Sequence, residues 1–355
     1  MTAAPSANHY IHPLTIGQGE HQVVLPNNLT LAPMAGFTNV AFRLIAKEVG
    51  GCGLVASEMV AAIGPHSRVN QRKFDLLTRS VPAEKPIAMQ VYGREPELCG
   101  RTALDLQQSG ADIVDLNCGC PVRKAKNSGC GVALMREPEQ VGKIVKAMRA
   151  AVTVPVAVKM RLGYSDANRT MIEVAQAAIE NGADMLAVHA RTGESKHGEP
   201  VDLTGLKAVK DMSPIPVLAN GSMDTAESIR RAKDEAGADG YQIGRAACGD
   251  PWLFRNLIAE LSGEPMYEPG LRERRELLER HYQLICELFG EDRGTVVMRK
   301  YTFFYCQGLP GVRAFRDRFV RLKTAAEFLT LVEEFFTGLE EKYGVGATMR
   351  EILGE

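Results

Sequence analysis

Eight short runs of apolar and β-branched residues, at 29–33, 54–58, 87–92, 113–117, 156–161, 185–189, 217–220 and 240–244, punctuate the first two thirds of the chain. Between them lie longer stretches, at 96–110, 137–151, 169–181 and 225–235, in which apolar positions recur every three or four residues. The short runs predict buried strands and the longer ones amphipathic helices, so the pattern predicts an α/β fold of (β/α)8 TIM barrel type. Gly-Ala-Asp closes a helix and opens a strand at Gly110, Gly182 and Gly237, which marks one structural step repeated around one barrel. A doubly wound open sheet would show the same alternation, but no G-x-G-x-x-G follows the first strand. Past Trp252 the strand pattern stops, and 272–289, 295–306, 314–319 and 325–343 read as helices. The expected plan is a polar lead-in at 1–26 that partly covers the barrel bottom, a catalytic barrel at 27–260, and a helical domain at 264–355 beyond a Gly- and Pro-containing connection.

Composition narrows the class. A chain of 355 residues, 45% hydrophobic and 24% charged, can bury a full core and carry a second module. Its formal net charge of -1 excludes a uniformly basic protein, so a nucleic-acid partner would be held by a local basic patch. No leader-like segment and no membrane-spanning run is visible, and eight scattered cysteines suit free thiols, so a cytoplasmic location is expected. The pattern leaves the oligomeric state open, with a monomer expected.

In a barrel of this kind the functional groups stand at the C-terminal ends of the strands. Read there, the sequence offers Pro33, Met34 and Ala35, then Ser57-Glu58, Gln90, Asn117 with Cys120, Lys159 with Arg161, His189 with Arg191, Asn220-Gly221 and Gly244-Arg245. Gly119 and Pro121 end the fourth strand abruptly and put Cys120 on a loop, where a thiol can act as acid or nucleophile. No metal site is expected, because Cys118 and Cys120 stand two apart with no second C-x-x-C and no nearby histidine. The loops after strands seven and eight form the phosphate corner of such barrels, and Gly221, Gly244 and Arg245 suit it. With a phosphate there, Lys159 and His189 point to an extended cofactor across the mouth. A flavin fits, with Lys159 at its pyrimidine carbonyls and Met34 and Gln90 against the ring.

At the level of whole motifs the chain resembles the tRNA-dihydrouridine synthases. The matching residues are Ala32-Pro33-Met34-Ala35-Gly36-Phe37-Thr38-Asn39 with Phe42-Arg43, Gln90-Val91-Tyr92-Gly93, Asn117-Cys118-Gly119-Cys120-Pro121, Val158 to Gly163, His189-Ala190-Arg191-Thr192, Asn220-Gly221, Gly244-Arg245-Ala246, and Tyr305 to Gly311 in the helical part. The resemblance implies FMN as cofactor and NADPH as reductant, with NADH a possible substitute. It implies hydride delivery to C6 of a tRNA uridine and proton delivery to C5 from Cys120. It places the flavin contacts at Met34, Gln90, Lys159, His189, Asn220, Gly221, Gly244 and Arg245, with Pro33 and Ala35 beside them, and the substrate base near Asn117 and Arg161. Two basic groups offer a track for RNA: Arg123 and Lys124 with Lys126 beside Cys120, and Arg299, Lys300, Arg313 and Arg316 with Arg318, Arg321 and Lys323 in the helical part. Departures from the family's usual pattern are Asn39 for Asp, Ala190 for Gly, Ser222-Met223 for Asp-Ile and Gln307 for Lys, and the loop 193–198 lacks an expected aromatic residue. Two other readings compete: a flavin oxidoreductase for a small pyrimidine, similar to dihydroorotate dehydrogenase, and a non-catalytic RNA-binding protein. The helical part argues against the first, and the set Cys120, Lys159 and His189 against the second.

Overall fold

A computed structural model describes residues 7–63, 68–196 and 198–354. Its centre is an eight-stranded parallel sheet. A short antiparallel hairpin of β1 (Leu14–Ile16) and β2 (Val23–Leu25) precedes it. The barrel strands are β3 (Leu29–Leu31), β4 (Val55–Ala61), β5 (Ile87–Tyr92), β6 (Ile113–Cys118), β7 (Val156–Arg161), β8 (Met185–His189), β9 (Val217–Asn220) and β10 (Gly240–Ile243). Each pairs in parallel with the next, β10 pairs with β3, and a Thr30–Leu54 bridge closes the ring between β3 and β4. All eight strands match the runs read from the sequence, to within three residues at any end.

The pleat explains both the core and the site. Leu116 and Cys118 of β6 turn outward and pack in the large cluster beneath the surrounding helices, whereas Ile113 turns inward. The inward residues form a lower apolar layer of Ala56, Ala88, Ile113, Ala157, Met185, Ala187 and Leu218. Further along β5 to β9 the inward positions become Gln90, Asp115, Lys159, His189 and Asn220. Each of these five strands therefore carries an apolar residue at the bottom of the barrel and a polar one at its top.

The hairpin is what the sequence pattern understated. Leu14, Ile16 and Leu25 are buried against the lower barrel layer, so this segment stoppers the bottom with apolar side chains and keeps Thr15 outward. Gly17 turns the hairpin at φ +83°, and a Cβ there would stand 2.9 Å from the Pro155 ring at the foot of β7.

In the C-terminal part, helix Leu271–Phe289 packs across helix Val40–Val49 of the barrel, with the ring centroids of Phe42 and His281 6.1 Å apart and an Arg280–Glu48 ion pair of 3.1 Å. The helix predicted at 295–306 is two helices, Glu291–Met298 and Thr302–Cys306. The break falls where Tyr301 turns toward the barrel, its hydroxyl donating to the Phe37 carbonyl at 2.6 Å while the Asn39 amide donates to it at 3.0 Å. A periodicity of apolar residues does not reveal such a tertiary tether.

Candidate active site

One cavity of about 670 Å³ opens at the C-terminal ends of the strands. Its walls include Pro33, Met34, Ala35, Gln90, Asn117, Cys120, Lys159, Arg161, His189, Asn220, Gly221, Gly244 and Arg245. These residues come from strand ends far apart in the sequence and meet because the barrel closes.

Two hydrogen-bond networks order the floor. On one side the Gln90 amide donates to Asp115 at 2.6 Å, the Asn117 amide donates to Gln90 Oε1 at 2.7 Å, and Asn117 Oδ1 accepts from the backbone of Gly119 at 3.1 Å and Cys120 at 2.9 Å. Asn117 therefore pins the loop that bears Cys120. Opposite, Lys159 Nζ donates to Asn220 Oδ1 at 2.7 Å, and the Asn220 amide donates to the Gln242 carbonyl at 2.6 Å. Burial pushes the Lys159 ammonium down from its ordinary value and the Asp115 carboxyl up, and each is partly offset by the other's charge. Arg161 is buried, donates to the carbonyls of Gly119 at 2.8 Å and Thr192 at 2.6 Å, and is pushed down to about 10 by burial, so it stays cationic at neutral pH.

The three neighbouring thiols are not equivalent. Cys118 is fully buried, and desolvation pushes its thiol well above the ordinary value. Cys130 is also buried, and its Sγ donates to the Ser128 carbonyl. Cys120 is partly exposed and lines the cavity. Gly131, at φ +62°, runs so close under it that a Cβ would lie 2.7 Å from the Cys120 carbonyl.

The phosphate corner has its own geometry. Gly221 and Ser222 both have positive φ, +103° and +53°, Ser222 being the one such non-glycine among the described residues. A Cβ on Gly221 would sit 2.8 Å from the His189 ring, so only glycine lets the turn pass beneath it. Arg191 contacts His189 Nε2 at 3.2 Å and donates to Ser222 Oγ at 2.9 Å. Arg191 and Ser222 extend the cationic corner beyond Arg245. Strand position pointed to Arg191, and Ser222 stands in the Asn220-Gly221-Ser222 loop that the sequence places at this corner.

Of the basic residues read as RNA contacts, Arg313 and Arg316 are exposed on helix Val312–Phe319, and Arg123 is exposed beside the cavity. Arg299 turns inward and donates to the Leu322 carbonyl. Lys300 is half-buried, with its ammonium 5.1 Å from the Phe37 ring centroid and 4.8 Å from that of Tyr301. The side chain of Lys124 lies outside the described residues. The sequence of loop 193–198 holds no Phe, Tyr or Trp, but Tyr164 on a neighbouring loop lies under Arg136, whose guanidinium is 3.4 Å from the Tyr164 ring centroid, with the Lys126 ammonium 4.8 Å from it.

Residues 30–340 match the sequence model of the dihydrouridine synthase (Dus) family. A protein named tRNA-dihydrouridine synthase B from Pseudomonas aeruginosa is 37% identical over 314 residues, covering 88% of this chain and 93% of its own length. One of the same name from Pseudomonas putida is 36% identical, with 92% and 97% covered, and a probable tRNA-dihydrouridine synthase from Rickettsia conorii is 34% identical, with 90% and 96% covered. Among solved structures, a 2-naphthoyl-CoA reductase complex superposes with a TM-score of 0.56 at 15% identity, over 73% of this chain and 53% of that one. A morphinone reductase complex with tetrahydroNAD gives 0.53 at 14% identity, over 75% and 93%. At such low identity these two speak to the barrel fold.

Proposed function

The chain belongs to the dihydrouridine synthase family, and on that footing we propose that it is a flavin-dependent oxidoreductase reducing the C5–C6 double bond of specific tRNA uridines to 5,6-dihydrouridine, with FMN as cofactor and NADPH as reductant. The observation that carries this reading is the cavity in which a partly exposed thiol, a half-buried ammonium and a glycine-lined cationic corner face one another. The residues fit the cofactor: Gln242, which lines the cavity, has its Oε1 buried without a hydrogen-bond partner, and the Gly221 turn leaves room that a Cβ would fill. Gly221, Ser222, Gly244, Arg191 and Arg245 would hold the phosphate, and Met34, Gln90, Lys159 and Asn220 the ring, with Pro33 and Ala35 along its edge. FMN bound there supplies, once reduced, the hydride for C6 of the base.

The protein's own work is to seat the base and move the proton. Reduction at C6 leaves enolate-like charge at C5, and Cys120 Sγ donates its proton there. Asn117 and Arg161 hold the base beside that thiol, with Arg161 itself fixed by two carbonyls. A uridine within folded RNA must leave its stack to enter such a pocket. Residues 264–355 serve as the RNA-holding region and 27–260 as the catalytic barrel of a monomer acting in the cytoplasm. Arg313 and Arg316, with Arg123 and Lys124 near the mouth, meet phosphates.

The test is mass-spectrometric quantitation and mapping of dihydrouridine in unmodified tRNA incubated with the protein, FMN and NADPH. Product at a defined position is expected. A flavin-loaded protein that oxidises NADPH and makes no product would overturn the reading. Cys120→Ala is expected to keep FMN and NADPH oxidation and to lose dihydrouridine; normal product from that variant would remove Cys120 as the acid.

A further inference from the structure

We propose that Asp115 is a positioning residue for the proton donor: it sets the orientation of two buried amides, and through them the loop that carries Cys120. The proposal rests on the reading of Cys120 as that donor. Asp115 and Asn117 both point into the barrel from β6, two residues apart, while Leu116 and Cys118 between and after them pack outward. The chain of contacts runs from Asp115 Oδ2 to Gln90 Nε2 at 2.6 Å, from Gln90 Oε1 to Asn117 Nδ2 at 2.7 Å, and from Asn117 Oδ1 to the N–H groups of Gly119 and Cys120.

Both ends of this chain are one-way. An ionised carboxylate can only accept, and backbone N–H groups can only donate. Those ends force the direction of the bond between the two amides. Turning Gln90 by half a turn would set its NH2 against the NH2 of Asn117, and relieving that clash by turning Asn117 would face its NH2 to the loop N–H groups. Gln90, Asp115 and Asn117 are 2%, 5% and 6% exposed, so water cannot repair a reversed amide. Packing alone does not account for a carboxylate here. Its burial costs desolvation that the Gln90 hydrogen bond and Lys159 offset only in part, a burden that an apolar residue of similar size would avoid.

The experiment is the rate of iodoacetamide alkylation of Cys120 in the FMN-loaded full-length protein, read by peptide mass spectrometry. Cys286, the other partly exposed thiol, serves as internal reference. Asp115→Leu and Asn117→Ala are each expected to speed Cys120 alkylation by about fivefold, as the removal of one hydrogen bond's worth of restraint implies, without changing Cys286. Because both act through one chain, the double variant is expected to be no faster than the faster single variant. Effects that multiply, or an Asp115→Leu rate within about twofold of the parent, overturn the proposal. Should Asp115→Leu fail to fold, Asp115→Ala is read in the same way: it too leaves the Gln90 amide with no acceptor below, so alkylation is expected to rise, whereas an unchanged rate overturns the proposal. Alkylation needs no turnover, so a failure here is separate from a Cys120→Ala variant that still forms product.

Discussion

Cys118 and Cys120 differ by two positions and by almost everything else. Strand alternation drives the first into the helix-facing core, and the Gly119-Cys120-Pro121 turn lifts the second to the cavity. Cys118→Ala is therefore expected to leave dihydrouridine formation near the parent level, in contrast to Cys120→Ala. His281 makes a second prediction at this scale. It is wholly buried between Tyr301 and Tyr305, with Nδ1 2.8 Å from the Tyr305 hydroxyl, and desolvation, aided by Lys300, pushes its pKa down to about 3. A histidine held neutral in the folded state takes up a proton on unfolding, so its contribution to stability is intact above its unfolded value near 6.5 and is lost as pH falls from there toward 3. Between pH 7 and pH 4 this amounts to about 3 kcal/mol. Denaturant titrations at the two pH values are expected to show a smaller acid loss in His281→Gln than in the parent; equal losses would remove His281 as the source.

Between residues and fold stand the elements around the first barrel strand. Arg43, on helix Val40–Val49, is buried and meets Glu84 at 2.6 Å, while its guanidinium also donates to the Thr38 carbonyl at 2.7 Å. One ion pair thus ties that helix, the Pro82–Glu84 turn and the loop that brings Met34 and Phe37 to the cavity. Both partners are almost inaccessible, so removing one leaves the other charged and unpaired. Glu84→Ala is expected to lower unfolding free energy by about 3–5 kcal/mol and to loosen FMN binding with it. Flavin retention on gel filtration and chemical denaturation would report the two effects; a decrease under about 1 kcal/mol would mean that water reaches Arg43. Asn39 belongs to the same joint. It caps the helix by accepting from the Phe42 N–H at 3.1 Å and donates to Tyr301, so the amide standing where the family commonly has Asp serves both partners at once.

Over the molecule as a whole, a near-neutral total conceals an uneven surface. Arg318 pairs with Glu334 at 2.7 Å and Arg299 bonds inward, which leaves Arg321, Lys323 and, on helix Val312–Phe319, the pair Arg313 and Arg316 as exposed cations of that basic series. Replacing both with Ala is expected to weaken tRNA binding and to flatten its salt dependence by about one logarithmic slope unit for each phosphate no longer neutralised, with FMN content unchanged. Filter-binding titrations over a range of salt would show it, and an unaltered slope would move the RNA track elsewhere. At this scale no helix among the described residues is long and apolar enough to cross a membrane.

How much of this the chain declares by itself follows from the range of the interactions involved. Strands β3 to β10 were legible because a short apolar, β-branched run is a local property, and so were the polar strand ends, since a closed barrel turns strand position into site position. Gln90, Lys159 and Asn220 could be named as a set without coordinates on that ground alone. That 1–26 covers the barrel bottom was legible, but its apolar hairpin and the break at Tyr301 were not, because each depends on partners distant in sequence: Pro155 and the lower apolar layer in one case, Phe37 and Asn39 in the other. Asp115 was visible as a residue and silent as a role. Its type and strand follow from the sequence, but the direction of the amides above it is decided only when β5 and β6 lie side by side and exclude water, because hydrogen-bond polarity belongs to the packed arrangement and not to any one residue.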